Sequence, residues 1–226
     1  MTILYEDADL IAVNKPALIP TQADETSDTS LLQLLESQLN TPIFVVHRLD
    51  RPTSGIVVFA KNEQAVAALN AQFQQRETAK TYYAIVERKP EKDADTLVNF
   101  LIHNPLKNKS FVTKEGILNA KRAELRYILR GSSDRYFLLE IELLTGRHHQ
   151  IRAQLADIGC PIKGDVKYGA RRSNADRSIH LHAAQLTFQQ PKTGKKISLK
   201  AAPPMESDAL WRFFSPIFEL STDFTD

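Results

Sequence analysis

The chain of 226 residues has a single cysteine, Cys160, which excludes an internal disulfide and any multi-cysteine metal centre and suits a reducing compartment. No phosphate-cradling glycine loop of either standard pattern is present, and no Gly-x-Ser-x-Gly elbow. Apolar runs such as Tyr136–Ile141 are far too short to cross a bilayer. The opening MTILYEDADL carries acids where a secretory signal needs a basic segment, so the chain reads as cytoplasmic. Metal ligands are also sparse. His180 and His182 stand two apart on an expected strand and His148 and His149 are adjacent, but no further ligand falls at a familiar spacing. The expectation is therefore no metal and no cofactor, with chemistry run on side chains alone.

What is present is an ordinary globular composition, 42% hydrophobic and 25% charged, enough to bury a proper core. Net charge is only +2, yet it is unevenly spread. Residues 1–46 balance at −6 and residues 203–226 at −4, which leaves +12 for 47–202. A middle that basic between acidic ends suits a polyanion-binding surface, although a solvated basic face has the same composition.

The apolar pattern places a hairpin at Ile3–Tyr5 and Leu10–Val13, then a helix on Leu31, Leu32, Leu34, Leu35 and Leu39 with Ser30 and Gln33 as a capping box. Ile43–Val46 and Ile56–Ala60 read as buried strands enclosing a polar loop. Asn62 caps a helix reaching about Phe73, with Ala65, Val66, Leu69 and Phe73 inward. Strands are expected at Thr81–Glu87, Thr96–Ile102, Ala123–Leu129 and Tyr136–Leu144, and a helix over Gln150–Ile158 stopped by Gly159. Leu181–Phe188 pairs with Lys196–Leu199 across a Pro-Lys-Thr-Gly turn, and a short amphipathic helix follows around Ala209–Phe214. Short turns rather than helical crossovers join the strands. The fold class is α+β, a mixed, mostly antiparallel sheet flanked by helices.

Three clusters carry reactive side chains. In His47-Arg48-Leu49-Asp50-Arg51-Pro52-Thr53-Ser54-Gly55 a carboxylate sits between two arginines on a loop stiffened by proline and glycine. Neighbouring positive charge favours the ionised carboxylate a nucleophile needs; an ion pair that merely ties a turn would look the same. In Leu144–Arg152 a strand, a glycine turn and a helix start bring Arg147, His148, His149, Gln150 and Arg152 together, either as an anion site, with Gln150 and Arg152 able to bond a uracil-like edge or a partner carboxylate, or as solvated basic residues. In Lys80-Thr81-Tyr82-Tyr83-Ala84-Ile85-Val86 strand alternation sends the two tyrosines to opposite faces, so one can meet a site while the other packs.

Together these segments resemble the RluA-type RNA pseudouridine synthases. HRLDRPTSG at 47–55 is similar to that family's catalytic-aspartate motif, KTYYAIV at 80–86 to its tyrosine motif, and LTGRHHQIRAQLADIGCPIKGDVKYG at 144–169 to its third motif. ILYEDADLIAVNKPA at 3–17 resembles the opening hairpin and IHLHAAQLTFQQPKTGKKISLKAAPP at 179–204 the closing strands. The chain departs from the family pattern at His148, where threonine is usual, and at Pro16-Ala17-Leu18-Ile19, where many members turn on Pro-Ala-Gly.

The resemblance implies a pseudouridine synthase fold with a catalytic cleft, 1–226 forming a single catalytic domain with no accessory RNA-binding domain before it. It implies isomerisation of uridine in tRNA or large-subunit rRNA without cofactor or metal, with monomer as the default state. Asp50 would be the catalytic carboxylate, Arg152 its ionic partner, and Tyr82 the ring that stacks on an extruded uracil. Arg48 would fill the vacated stack and Ile151 lie beneath the base. His47, Gln150 and Arg147 complete the expected substrate contacts. Lys107, Lys109, Lys114, Lys121, Arg122, Arg171 and Arg172 would grip phosphates. A non-catalytic RNA-binding or RNA-folding protein on the same scaffold is the competing class; a hydrolase releasing free base is another.

Overall fold

The structure is a computed structural model and describes residues 1–24 and 27–220. In chain order, strands β1 (Thr2–Glu6) and β2 (Leu10–Lys15) precede helix α1 (Leu31–Leu39), strands β3 (Phe44–Val45) and β4 (Ser54–Ala60), and helix α2 (Glu63–Gln75). Strands β5 (Ala79–Val86), β6 (Ala94–Asn104), β7 (Lys109–Thr113), β8 (Lys121–Ser132) and β9 (Phe137–Leu143) follow, then helix α3 (Gln150–Asp157) and a 3₁₀ turn at Val166–Tyr168. Strands β10 (Leu181–Gln189) and β11 (Lys196–Lys200) and helices α4 (Ala209–Phe213) and α5 (Ser215–Leu220) come last. These elements form two compact units, Met1–Lys80 with His182–Pro203, and Thr81–Leu181 with the segment from Pro204 on.

The first unit is built on β4, whose seven residues are all buried, as expected of a strand covered on both faces. It pairs antiparallel with β2 from Gly55 to Ala60 and parallel with β10 at Ser54 and Gly55. β1 extends the sheet beyond β2, and β11 pairs antiparallel with β10. Helix α2 starts where the Asn62 side chain accepts from Ala65 N at 2.9 Å. It then lays Ala65 and Leu69 on Leu10, Ala12, Ile56, Val58, Leu186 and Phe188. Burying each large side chain of that cluster stabilises by about 1.5–3 kcal/mol. The capping box of α1 is present, Ser30 Oγ accepting from Gln33 N while Gln33 Oε1 accepts from Ser30 N. Gly194 takes a positive φ of 68° in the turn between β10 and β11, as the turn chemistry requires.

The second unit is antiparallel throughout, in the order β5-β9-β8-β6-β7. Helix α3 rests on it through two alanines, Ala153 and Ala156, set against Leu101, Val112, Ala123 and Tyr168. Gly159 ends the segment with a φ of 74°, and Cys160 N returns to Leu155 O at 2.9 Å. Among the described residues no helix is long and apolar enough to cross a membrane.

The α+β class and the mixed, mostly antiparallel sheet hold. Three local expectations change. Ile43–Val46 is not a buried strand: only Phe44 and Val45 pair, and Phe44 is 37% exposed. β7 is an extra strand, and α5 adds a second short helix after α4.

Candidate active site

Asp50 lies half-buried on the loop entering β4, in a turn closed by Thr53 N donating to Asp50 O at 3.0 Å. Beneath this loop is Lys15, with no exposed surface. Its ammonium donates to the carbonyls of Ile19 at 2.8 Å, Pro16 at 3.0 Å and Arg51 at 3.3 Å. Burial pushes the Lys15 ammonium down to about 7, while the neighbouring Asp50 carboxylate pulls it back up. Three acceptors match the three donors of the protonated form, so the geometry itself selects a cation beside Asp50.

Arg51 fastens the same loop from outside. Its Nε donates to Leu18 O at 3.0 Å and its Nη2 pairs with Asp28, with Asp24 4.0 Å from Nη1. Thr21 closes the inner side, its hydroxyl donating to Leu49 O at 3.1 Å and accepting from Leu49 N at 3.2 Å. Gly55 permits the crossing of β4 and β10. At φ 117° any Cβ would stand 2.3 Å from Ala183 O.

His47 and Arg48 part company. Arg48 is exposed and has no hydrogen bond or ion pair to another described residue. The His47 ring instead accepts from Val58 N at 3.0 Å and stacks against Phe73 at 4.7 Å. This explains the two-residue β3: where its ladder stops, the imidazole takes the next β4 amide. Burial, reinforced by the charge of Lys80, pushes the His47 pKa down to about 3, so the ring is neutral and able to accept.

The tyrosine motif and the third motif belong to the second unit. Tyr83, 3% exposed, packs its ring 4.7 Å from Phe218; Tyr82, on the opposite face of β5, is 9% exposed. Arg152 projects from α3 into a bidentate pair with Asp165, Nε to Oδ2 at 2.6 Å and Nη2 to Oδ1 at 2.8 Å. Its guanidinium also lies 5.0 Å from the centroid of the Tyr168 ring. The Tyr168 hydroxyl accepts from Ser110 N at 2.9 Å and meets His149 Nδ1 at 3.0 Å, which ties that ring to β7 and to the start of α3. Asp165 and Tyr168 are thus the supports of Arg152, a role that the motif's Gly-Asp and Tyr-Gly pairs do not declare by themselves.

Gln150 is 3% exposed and spent on its own loop and on β8. Its Oε1 accepts from Thr145 Oγ1 at 2.7 Å and Arg147 N at 3.0 Å, and its Nε2 donates to Glu124 O at 3.1 Å. Ile151 is buried at 4%, and Arg147 Nε donates to Arg122 O at 3.1 Å. His148, the departure from the family pattern, meets Ser110 Oγ at 3.0 Å and Asn108 Oδ1 at 3.1 Å, bracing the turn into β7. The two histidines expected on one strand part: His182 lies in β10, whereas His180 precedes it. His182 lies between Ser54 Oγ at 2.8 Å and Ala201 O at 3.0 Å; His180 meets Asp208 Oδ2 at 3.1 Å and stacks on Trp211. No group of three or more His, Cys, Asp or Glu among the described residues is arranged to hold a metal.

This fold is that of solved pseudouridine synthases. The structure of the human RNA pseudouridylate synthase domain containing 4 matches with a TM-score of 0.76 at 25% identity, over 96% of this chain and 92% of that one. The model of the RNA pseudouridylate synthase family matches residues 9–157, a span that holds Asp50, Tyr82 and Arg152. The tRNA pseudouridine synthase C of Haemophilus ducreyi is 33% identical across 99% of this chain and 98% of its own length. The ribosomal large subunit pseudouridine synthase C of Rickettsia bellii is 33% identical across 89% of this chain and 68% of its own. The chain belongs to the RNA pseudouridylate synthase family, within its RluA-type branch, and is an isomerase whose substrate is RNA.

Proposed function

We propose that the chain converts chosen uridines of tRNA or large-subunit rRNA to pseudouridine, with Asp50 as the catalytic carboxylate acting on a uridine extruded from its stack. The observation that carries this reading is the Asp50 loop, a partly accessible carboxylate on a turn braced from below by Lys15 and from outside by Arg51. Bracing of this kind gives the carboxylate the fixed placement that a reacting group needs.

In the reaction the bond from the ribose carbon to N1 breaks, the base turns, and the same carbon bonds to C5. The C5 proton leaves and N1 gains one, so atoms and electrons balance without redox partner, metal or cofactor. Tyr82 stacks on the uracil and, as the phenolate, receives the C5 proton to become the phenol; such stacking is worth about 1–3 kcal/mol per base. Arg48, exposed and without a partner among the described residues, fills the gap left by the base. Ile151 gives an apolar contact beneath the ring, Arg152 holds the carboxylate ionised, and Arg147 meets phosphate. His47 and Gln150 serve as positioning residues, holding β4 and the third-motif turn. Residues 1–226 act as a single catalytic domain. The protein works as a monomer in the cytoplasm.

The test is tritium release from RNA carrying 5-tritiated uridine, with tRNA and rRNA pools assayed separately. Wild type releases tritium from one pool; Asp50→Ala releases none, keeps RNA affinity within a few-fold and melts normally. Silence of the wild type on both pools overturns the reading. Loss of folding in Asp50→Ala would return Asp50 to a purely structural ion pair.

A further inference from the structure

The second unit has a groove of about 610 Å³ that none of the three motifs explains, lined by Glu87, Asp134, Arg135, Tyr136, Phe137, Lys163, Arg171, Arg172 and Ser173. Four cations face two acids there, and the acids are the weaker party. Glu87 Oε2 already accepts from Arg171 N at 2.9 Å, and Asp134 is exposed. Arg135, Arg171 and Arg172 are exposed, and their side chains have no hydrogen bond or ion pair to another described residue. The half-buried rings of Tyr136 and Phe137 add aromatic surface to the wall, with Lys163 Nζ 5.8 Å from the Tyr136 centroid.

The groove is also preformed. Ser133 Oγ accepts from Tyr136 N at 3.0 Å, closing the turn that presents Arg135. On the opposite loop Asn174 Nδ2 donates to Ser178 O at 2.9 Å and Lys163 Nζ bonds Asn174. Gly164 lies so close that a Cβ would stand 2.7 Å from Ser178 O. Loops held this way lose little conformational freedom on binding.

Uncompensated guanidinium groups beside an aromatic wall are the chemistry of a single-stranded nucleic acid: planar cations for phosphodiesters, a flat ring for a base. We propose that this groove binds a segment of the substrate RNA strand, with phosphates on Arg135, Arg171 and Arg172 and a base on Tyr136. The proposal rests on RNA being the substrate and adds a docking site that serves binding rather than the chemical step.

The experiment measures steady-state pseudouridylation and RNA binding for wild type, for Arg135→Gln/Arg171→Gln/Arg172→Gln together, and for Tyr136→Leu. All these side chains are at least partly exposed, and matched thermal melts check that each variant folds. The triple variant is expected to raise KM at least about tenfold with kcat within about twofold. Its log-log salt slope should fall by about 2, as losing three single-strand phosphate contacts predicts. Tyr136→Leu should weaken binding about fivefold or more, the cost of losing one stacked base. Adenosine monophosphate at millimolar concentration should leave RNA binding unchanged, since one nucleotide spans too few of the contacts. A triple variant with wild-type KM and salt slope overturns the groove while the functional reading stands. Competition by the mononucleotide overturns a strand in favour of a small-anion site. A wild type that neither binds nor modifies RNA overturns both.

Discussion

Lys15 is a charge with no solvent of its own, kept in place by three carbonyl groups of the loop it supports. Lys15→Met would leave the Pro16 and Ile19 carbonyls without the ammonium, while Arg51 O keeps Leu18 N at 2.7 Å, at about 1–3 kcal/mol for each buried group left unpaired. We expect a loss of at least about 3 kcal/mol in urea unfolding, and a fall in kcat because the loop presenting Asp50 slackens; a loss below about 1 kcal/mol would show that the loop stands without it. His182 makes a pH-dependent contribution of known sign. Burial outweighs the hydrogen bond to Ala201 O and pushes its pKa down to about 4, below the ordinary 6.5. Between those values the unfolded chain binds the additional proton, so stability is full above pH 6.5 and falls as pH drops toward 4. By pH 5 the loss reaches about 2 kcal/mol, and His182→Gln, which keeps a donor and an acceptor without titrating there, should flatten the profile between pH 7 and 5 by that amount. At this scale the sequence is legible only where chemistry is contiguous. HRLDRPTSG declares Asp50, because carboxylate, arginines, proline and glycine follow one another. The roles of Lys15, His47 and Asp165 stay hidden, since the Lys15 contact with the Asp50 loop spans 36 residues and the partners of His47 and Asp165 lie 11 and 13 residues away.

Elements whose boundaries are set by local signals were readable, and those set by a neighbour were not. Ser30, Asn62, Gly159 and Gly194 mark ends through their own side chain or φ, so α1, α2, α3 and the β10–β11 turn could be placed from residues alone. β7 carries only Phe111 and Val112 as apolar residues in KSFVT; it is a strand because it pairs with the edge of β6 opposite β8. β3 stops early because the His47 ring takes the next amide of β4. The close approach of β4 to β10 is of the same non-local kind, and Gly55 is where it can be tested. Gly55→Ala combines a backbone clash with a φ that side chains rarely adopt, so we expect at least about 4 kcal/mol of destabilisation or an insoluble product. The pair between α3 and the segment that follows it offers a second test. Asp165→Asn keeps the shape but removes the charge facing Arg152, and disrupting a buried pair costs about 3–5 kcal/mol. Because Asp165 acts through Arg152, kcat should fall while KM holds; an unchanged kcat would make the pair purely structural.

Charge is the one property of the whole molecule that the sequence sums correctly and places poorly. The +12 carried by residues 47–202 is a net figure that already subtracts the acids of that stretch, so what the fold adds is which cations are left to meet a phosphate. On β8 and β9, Arg122 pairs with Glu124 at 2.6 Å, Arg126 with Glu142 at 3.2 Å and Arg130 with Glu140 at 2.9 Å. Exposed pairs like these add about 0–1 kcal/mol to stability, yet each cancels a positive charge that RNA would otherwise meet. Arg48, Lys107, Arg135, Arg171 and Arg172 are exposed with no such acid among the described residues, and they are the cations we assign to the RNA footprint. Each phosphate neutralised contributes about 0.7–0.9 to the log-log salt slope, so a footprint of this size predicts a slope between about −3 and −6 for RNA binding. A titration from 50 to 200 mM salt tests this footprint, because a slope steeper than about −8 would mean that further exposed cations, Lys114 and Lys121 among them, also meet phosphates.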